Sequence, residues 1–245
     1  MNKVIDVSKW NGKIDWDKVK AAGIYGVIIR AGYGRLISQK DATFESYYSS
    51  AKAAGLHIGT YWYSYAKSKD EALIEAKVFK EAIKGKTFDL PVYMDIEEKA
   101  QVNLGKVICS DMVKAFCNSM EDSGYFAGVY SFDSFFSSNL TEDIQDRYSC
   151  WVASVENRQP VSCKVFSLWQ YSWKAAIPGI NGDVDISKCL MDFPKIIKDN
   201  GLNGYSTSKK YKITAEIDGV DATRMSQISD SCRKMGMIVT TEPSK

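Results

Sequence analysis

The chain has 245 residues, of which 45% are hydrophobic and 25% are charged, and its formal net charge at pH 7 is +2. A chain of this length can bury the core of one barrel-sized domain and still carry a small appendage. The nearly balanced charge argues against a nucleic-acid-binding protein, and the absence of a long apolar run argues against a transmembrane helix. The six cysteines have no short-range spacing pattern, which indicates packed thiols.

Strand-like and helix-like segments alternate along residues 4–131, with short joints between them. Helices are predicted to begin at capping residues such as Asp15 and Ser68 and to end at glycines. The predicted strands are 4–8, 24–30, 57–65, 90–97 and 125–131, and a helical pattern follows each of the first four, the last of them reaching residue 119. This order implies parallel strands with right-handed crossovers, and therefore a barrel or a doubly wound sheet.

After about residue 140 the helical patterns become poor, whereas strands continue at 150–155, 165–171 and around 184–186. We therefore expect an α/β fold, an irregular (β/α) barrel that lacks some of its late helices. In such barrels the functional residues lie at the carboxyl ends of the strands. The predicted ends hold acids and aromatic residues, namely Asp6, Tyr33, Tyr61, Tyr63, Asp95, Glu97, Tyr130, Trp151, Trp169, Gln170, Tyr171 and Asp185.

Asp95 and Glu97 end the apolar segment 90–97. Two acids spaced in this way on a strand share a face, with Cα atoms roughly 6 to 7 Å apart, so that they can flank one glycosidic bond. The segment is too apolar for an exposed edge, which predicts a buried strand that delivers both acids to the rim. An isolated Asp-x-Glu pair is more often a solvated strand end, but this context favours sugar hydrolysis.

His57 is the only histidine, which argues against zinc sites built from several histidines and against Ser-His-Asp or Cys-His hydrolases. It begins the third predicted strand, at the end opposite to the predicted functional rim. We therefore predict a structural role for this side chain.

Seven short segments, spread over residues 1 to about 190, match the motifs of one enzyme family in the order in which that family has them. They are Ile5-Asp-Val-Ser-Lys-Trp10, Ile29-Arg-Ala-Gly-Tyr33, Gly59-Thr-Tyr-Trp-Tyr63, Tyr93-Met-Asp-Ile-Glu97, Gly128-Val-Tyr-Ser131, Leu168-Trp-Gln-Tyr171 and 179–186 around Val184-Asp185. In these segments the chain resembles the glycoside hydrolase family 25 muramidases, the Chalaropsis-type lysozymes, which include many phage endolysins.

The resemblance implies an irregular (β/α) barrel that cleaves the β-1,4 bond between N-acetylmuramic acid and N-acetylglucosamine in bacterial peptidoglycan. No motif points to a cofactor or a metal, and hydrolysis by carboxylates needs neither. Glu97 matches the general acid and Asp95 its companion carboxylate. Asp6 and Asp185 match two further acids, which would tune the pKa values of the first two.

Some of these assignments have alternatives. Asp6 could be a strand-end acid that pairs with Arg30, and Asp183 could take the place of Asp185 in the cleft. The reaction could use a carboxylate nucleophile, an activated water or the N-acetyl group of the substrate. We favour the substrate-assisted route, with Asp95 steadying the ring that forms.

The resemblance also implies a substrate-binding set that provides stacking surfaces and hydrogen bonds for sugar rings. Because alternate positions of a barrel strand point inward and outward, we expect only about half of the aromatic members to contact substrate. The set comprises Tyr33, Tyr61, Tyr63, Tyr130, Trp151, Trp169, Gln170 and Tyr171.

The predicted organisation is a catalytic barrel over 1–200, a linker over 201–208 and a small βαβ-like module over 209–245, with strands near 211–217 and 237–241. Asp221 is predicted to cap the helix of the module. A unit this small rarely folds without a partner surface. We expect a cell-wall-binding or self-association module, with a stabilising appendage as the alternative.

The N-terminus enters a strand pattern without the apolar core of a signal peptide. We therefore expect synthesis in the host cytoplasm and action on the wall after release, as for a phage lysis enzyme, without nucleic-acid binding or membrane insertion. A family 18 chitinase is a poor alternative, because Leu90 and Tyr93 stand where its motif requires acids. An inactive carbohydrate-binding barrel is disfavoured because all four matched acids are present.

Overall fold

The computed structural model describes residues 2–155, 158–206 and 221–234, and for 230–234 it describes the backbone alone. The strands are β1 Asn2–Val7, β2 Gly26–Tyr33, β3 His57–Tyr63, β4 Val92–Asp95, β5 Ala127–Phe132, β6 Ser149–Ala153, β7 Leu168–Ala175 and β8 Val184–Cys189. The helices are α1 Trp16–Ala21, α2 Phe44–Ala53, α3 Lys69–Ala82, α4 Lys99–Val102, α5 Gly105–Glu121, α6 Asp133–Ser138, α7 Glu142–Arg147, α8 Phe193–Asp199 and α9 Ala222–Lys234.

The eight strands form one closed barrel in chain order, which confirms the predicted irregular (β/α) barrel. Strands β1 to β7 are parallel, whereas β8 runs antiparallel to both β7 and β1. Residues 176–183 join β7 to β8 without a helix, so the expected loss of late helices occurs here. The reversed direction of β8 was not predicted.

The predicted helix starts rest on side-chain caps. The carboxylate of Asp15 accepts a hydrogen bond from the Lys18 amide at 3.2 Å, and the hydroxyl of Ser68 accepts one from the Glu71 amide at 3.3 Å. These bonds satisfy backbone donors that a helix leaves free in its first turn. The caps therefore fix where α1 and α3 begin.

The buried side chains form two layers, one on each side of the barrel wall. The outer layer lies between strands and helices and contains Met94 with Phe79 and Phe116 of α3 and α5. The inner layer fills the barrel and contains Tyr93 and Trp151. Since neighbouring residues of a strand point to opposite faces, β4 sends Met94 outward and its flanking residues inward.

Residues 201–206, predicted as part of a linker, pack against the barrel instead. Asn203 is fully buried, with a φ of 54°. Its amide nitrogen donates to the Leu90 carbonyl at 2.9 Å, and its amide oxygen accepts from the Phe126 amide at 2.7 Å. These bonds satisfy backbone groups before β4 and β5, so the composition of this segment, rich in glycine and polar residues, was misleading.

The chain divides into two compact units, Met1–Ser208 and Lys209–Lys245. In the second unit, Asp221 accepts a hydrogen bond from the Arg224 amide at 2.8 Å and precedes α9, as predicted for a helix cap. The predicted strands 211–217 and 237–241 lie outside the described residues. No helix in the described ranges is both long and apolar enough to span a membrane.

Two predictions about single residue types are confirmed. The five cysteines whose side chains are described are free and buried, and Cys232 lies outside that set. His57 begins β3 at the end away from the acids, with its ring 4.4 Å from that of Tyr25 and its Nδ1 3.7 Å from the Asp89 carboxylate. The role of this imidazole is therefore structural.

Candidate active site

Asp95 ends β4, and its side chain points into the mouth of the barrel, on the same face as Tyr93. The residue is only 5% exposed, and Oδ1 has no hydrogen-bond partner among the described residues. Glu97 follows two positions later and is partly exposed. The predicted pair therefore lies at the rim, with Asp95 at the inner end and Glu97 closer to solvent.

Asp6 and Asp185 complete the acid group. They are direct partners in the register of β1 and β8. This register brings together two acids that lie at opposite ends of the barrel sequence. Asp183, the alternative to Asp185, is exposed to solvent.

Burial dominates the electrostatics of all four acids. It raises the pKa of Asp95 well above its usual range, and the nearby charges of Glu97 and Asp6 raise it further. Burial also raises the pKa of Glu97 to about 7, with contributions from Glu98 and Asp185. The site thus retains protons at neutral pH that exposed carboxylates would have lost.

The pair of Asp6 and Asp185 shows the same effect. Burial raises the pKa of Asp6 well above its usual range, followed by the charge of Asp185. Burial raises the pKa of Asp185 to about 6. Because the Asp6 pair and the Asp95 pair interact, the site behaves as one coupled group of acids.

Arg30 does not pair with Asp6, which corrects the alternative considered above. Its guanidinium forms an ion pair with Asp41, with Nη2 2.7 Å from Oδ2. Asp6 instead accepts a hydrogen bond from Nε2 of Gln170 at 2.9 Å. Asp6 is therefore held by a neutral amide, and Arg30 acts on the site only through its charge, which lowers the pKa of Asp95.

The predicted substrate-binding residues separate into groups. Strand register places Tyr63 and Tyr130 beside Asp95, one on each neighbouring strand, and Tyr33 beside Tyr63. Tyr33 and Tyr63 are partly exposed at the mouth, where the Tyr63 hydroxyl donates to Glu98 at 2.8 Å. These tyrosines are the members of the set best placed to meet a ligand.

Deeper in the barrel, Trp151 packs against the rings of Tyr61 and Tyr130, with centroids 6.2 and 4.5 Å away. Trp151 is 1% exposed, and its indole N–H donates to Ser187 at 3.0 Å. Trp151 thus forms the floor of the mouth, beneath Tyr61, which is partly exposed.

Trp169 and Tyr171 do not lie on the face of the barrel wall that carries the acids. Trp169 pairs with Lys188 in the register of β7 and β8, on the face opposite to Gln170. Its indole N–H donates to the Ser154 carbonyl at 2.7 Å, and the Lys188 ammonium lies over both aromatic rings. These two residues therefore pack on the outside of the barrel wall.

Sequence reasoning did not identify Glu98 or Trp173. Glu98 raises the pKa of Glu97, and Trp173 donates its indole N–H to Gln170 at 2.9 Å. The adjacency of Glu98 to Glu97 was a visible signal for the first. Nothing in the pattern marked Trp173, because its position depends on a bulge in β7. Within the described part of the chain, no cluster of His, Cys, Asp or Glu has a metal-binding arrangement.

Comparisons with known proteins find a lysozyme, an endolysin and an autolysin among the relatives of this chain. The autolytic lysozyme of Clostridium acetobutylicum is 28% identical over 251 positions, covering 97% of this chain and 74% of that protein. The CTP1L endolysin structure matches with a TM-score of 0.72 and 28% identity over 81% of this chain and 70% of that one. The autolysin LytC of Streptococcus pneumoniae, solved with a synthetic peptidoglycan ligand, has a TM-score of 0.68 and 29% identity over 76% of this chain and 46% of its own.

The family described as Glycosyl hydrolases family 25 matches residues 5–180, which is most of the barrel and more than half of the chain. This range includes Asp6, Asp95 and Glu97, and it ends shortly before Asp185. The resemblance seen in the sequence is therefore confirmed. The chain belongs to glycosyl hydrolases family 25 and is a glycoside hydrolase of the lysozyme type.

Proposed function

We propose that the protein is a muramidase that hydrolyses the β-1,4 bond between N-acetylmuramic acid and N-acetylglucosamine in bacterial peptidoglycan. The observation that carries the proposal is the state of Glu97, a partly exposed acid at the barrel mouth with a pKa raised to about 7 beside the more deeply buried Asp95. The comparisons with lysozymes and with a peptidoglycan-bound autolysin support the choice of substrate.

In this proposal Glu97 is the general acid. At neutral pH a substantial fraction of Glu97 is protonated, so it can donate a proton to the leaving glycosidic oxygen. Glu98 and Asp185 help to keep the proton there by their negative charge. After bond cleavage the ionised Glu97 can accept a proton from the incoming water.

Asp95 is proposed to steady the sugar rather than to attack it. Its side chain is 5% exposed at the barrel mouth, where the carboxylate can accept the N–H of the substrate's acetamido group. Holding that group would aim its carbonyl oxygen at the anomeric carbon. Attack forms a ring intermediate and breaks the glycosidic bond, and water then opens the ring.

The reaction is tested on purified cell walls by loss of turbidity and by mass spectrometry of the fragments. We expect new reducing ends at muramic acid. Glu97→Gln should abolish their release, whereas Asp183→Asn, an exposed acid close to Asp185, should retain it. Fragments with reducing ends at glucosamine, or full activity of Glu97→Gln, would contradict the proposal.

The substrate-assisted route has its own test. Proton NMR should show the β-anomer of the product first, because two inversions preserve configuration. Replacing the substrate acetamide by trifluoroacetamide should slow the reaction, since it weakens the internal nucleophile. Initial release of the α-anomer would refute the route, and an unchanged rate with the fluorinated substrate would indicate a carboxylate nucleophile.

We further propose a role in lysis of a bacterial host, as in a phage endolysin. The similarity to the CTP1L endolysin supports this role. Expression in host cells followed by membrane permeabilisation should lyse the culture for the wild type and not for Glu97→Gln. Intact cells in both cultures would argue against it.

The second unit, Lys209–Lys245, is proposed to bind the cell wall or to self-associate. A variant that ends at Ser208 keeps the barrel together with the packed residues 201–206. We expect this variant to cleave wall fragments normally but to sediment less with intact walls or to lose a dimer in analytical ultracentrifugation. If the truncated variant binds walls as well as the full chain and has the same oligomeric state, only a stabilising role remains for the second unit.

A further inference from the structure

Trp173 is held in place at the mouth of the barrel. The side chain is 44% exposed, and its ring meets that of Phe132 at a centroid distance of 6.2 Å with an interplanar angle of 76°. Phe132 ends β5, on the same rim as Asp95. An exposed tryptophan fixed by an edge contact and a hydrogen bond has little rotamer entropy left to lose on binding a ligand.

The hydrogen bond of Trp173 also determines the orientation of Gln170. An indole N–H can only donate, so the amide oxygen of Gln170 must face Trp173, at 2.9 Å. The same oxygen accepts from the Tyr130 hydroxyl at 2.8 Å. The amide nitrogen is therefore turned toward Asp6, to which it donates at 2.9 Å.

This chain of bonds joins the cleft surface to an acid of the site. Gln170 is 1% exposed, so its amide has no solvent alternative. A donated hydrogen bond favours the ionised carboxylate, and it opposes the effect of burial on Asp6.

We propose that Trp173 is a sugar-binding residue of the cleft that stacks on the apolar face of a pyranose ring, and that its indole N–H positions Gln170 and through it Asp6. The proposal rests on the glycosidase function proposed above. Its ligand class is a ring of a β-1,4-linked N-acetylated amino-sugar chain, which presents an apolar face to an aromatic ring and polar groups at its edge.

The two roles of Trp173 are separated by two substitutions. Trp173→Phe keeps an aromatic surface but removes the N–H, and Trp173→Ala removes both. The control is Trp10→Phe, which removes an indole N–H from a tryptophan that is 78% exposed and follows β1 at the same rim. Each protein is assayed on wall fragments over a range of pH.

Trp173→Ala should raise KM about tenfold with a smaller change in kcat, because stacking stabilises substrate and transition state alike. Trp173→Phe should keep KM within about twofold but move the acid limb of kcat/KM to higher pH by about one unit. Without the indole N–H, Gln170 can rotate away from Asp6, and loss of its hydrogen bond raises the pKa of Asp6. Trp10→Phe should change neither quantity. An unchanged KM in Trp173→Ala, or an unchanged acid limb in Trp173→Phe, would overturn the proposal.

A direct readout keeps this test separate from activity. Binding of N-acetylglucosamine oligomers to Glu97→Gln should quench tryptophan fluorescence, and the quenching should fall sharply when Trp173→Phe is added. A wild type that releases no reducing ends would refute the proposed function. A wild type that cleaves normally, with Trp173 variants that match it in KM, pH profile and quenching, would refute only the role of Trp173.

Discussion

Asp6 and Asp185 face each other in direct register across the antiparallel pair of β1 and β8, and the charge of Asp185 adds to burial in raising the pKa of Asp6. Asp6 lies near the carboxyl end of its strand, whereas Asp185 lies near the amino end of its own. Both reach the mouth because β8 runs in the opposite direction to the other strands. The reversal of one strand thus completes an acid group that an all-parallel barrel would have split between its two ends.

Activity should fall on the alkaline side with a midpoint near pH 7. Glu97 has a pKa raised to about 7 by burial first and then by its acidic neighbours, and it can donate a proton only while it carries one. Since Asp185 is one of these neighbours, Asp185→Asn should move the alkaline midpoint of kcat to lower pH.

Kinetics on wall fragments between pH 5 and pH 9 would measure these midpoints. Asp183→Asn, the exposed control, should leave the alkaline limb in place. A midpoint that does not move in Asp185→Asn would show that Asp185 has no electrostatic effect on Glu97.

Asp95→Asn should stabilise the protein at pH 8 while it impairs catalysis. The wild-type carboxyl is 5% exposed, has one oxygen without a described partner, and has a pKa raised first by burial and then by Glu97. Removing its charge relieves these penalties, and we expect a gain of about 1 kcal/mol. Urea unfolding at pH 8 would measure it, and a loss of stability would mean that Asp95 forms stabilising bonds that Asn cannot.

Glu75 should make the stability depend on pH away from the active site. It is fully buried in α3, accepts the Tyr65 amide at 2.9 Å, and has a second carboxylate oxygen without a partner in the described structure. Burial raises its pKa from 4.5 to about 7. The folded state therefore binds more protons than the unfolded state in this window, and stability falls as pH rises from about 4.5 to about 7.

Glu75→Gln should remove this contribution and be more stable than the wild type at pH 8 by up to about 3 kcal/mol, at 1.36 kcal/mol per pKa unit. At pH 4 the difference should be small. Glu81→Gln, an exposed change in the same helix, serves as the control in urea unfolding. Parallel stability curves for Glu75→Gln and wild type over this range would contradict the prediction.

Asn203→Ala should destabilise the barrel by about 3 kcal/mol, because it leaves the Leu90 carbonyl and the Phe126 amide without their partners and strains a left-handed backbone. Asn203→Gly should cost less, since glycine adopts this φ freely. Asn200→Ala, an exposed change nearby, should cost under about 1 kcal/mol. Equal urea midpoints for Asn203→Ala and Asn200→Ala would show that the hydrogen bonds of Asn203 contribute little to stability.

Much of the barrel was visible in local patterns. Alternating apolar residues, caps such as Asp15 and Ser68, and glycine stops depend only on neighbours in the chain, and so the strands and helices were predictable up to β5. The position of Asp95 and Glu97 followed from the same alternation. Family motifs then directed attention to Asp6 and Asp185.

Other features depend on contacts between distant segments. Neither the ion pair of Arg30 with Asp41 nor the outward direction of Trp169 could be predicted from neighbouring residues. Pairing of Arg30 with Asp6 and an inward Trp169 fit the same alternating pattern equally well. The glycine-rich segment around Asn203 reads as a linker until its carbonyl and amide partners on the barrel are known.

The sequence by itself determined the strand and helix pattern and the family, and it proposed the four acids as the site, because these follow from periodicity and from motifs of a few residues. Only the tertiary structure decided the direction of β8, the pairing of Asp6 with Asp185, and the place of Trp173 beside Gln170. The physical reason is that hydrophobic alternation is the same in both strand directions, whereas burial, pKa and hydrogen-bond orientation arise only when distant groups are packed together.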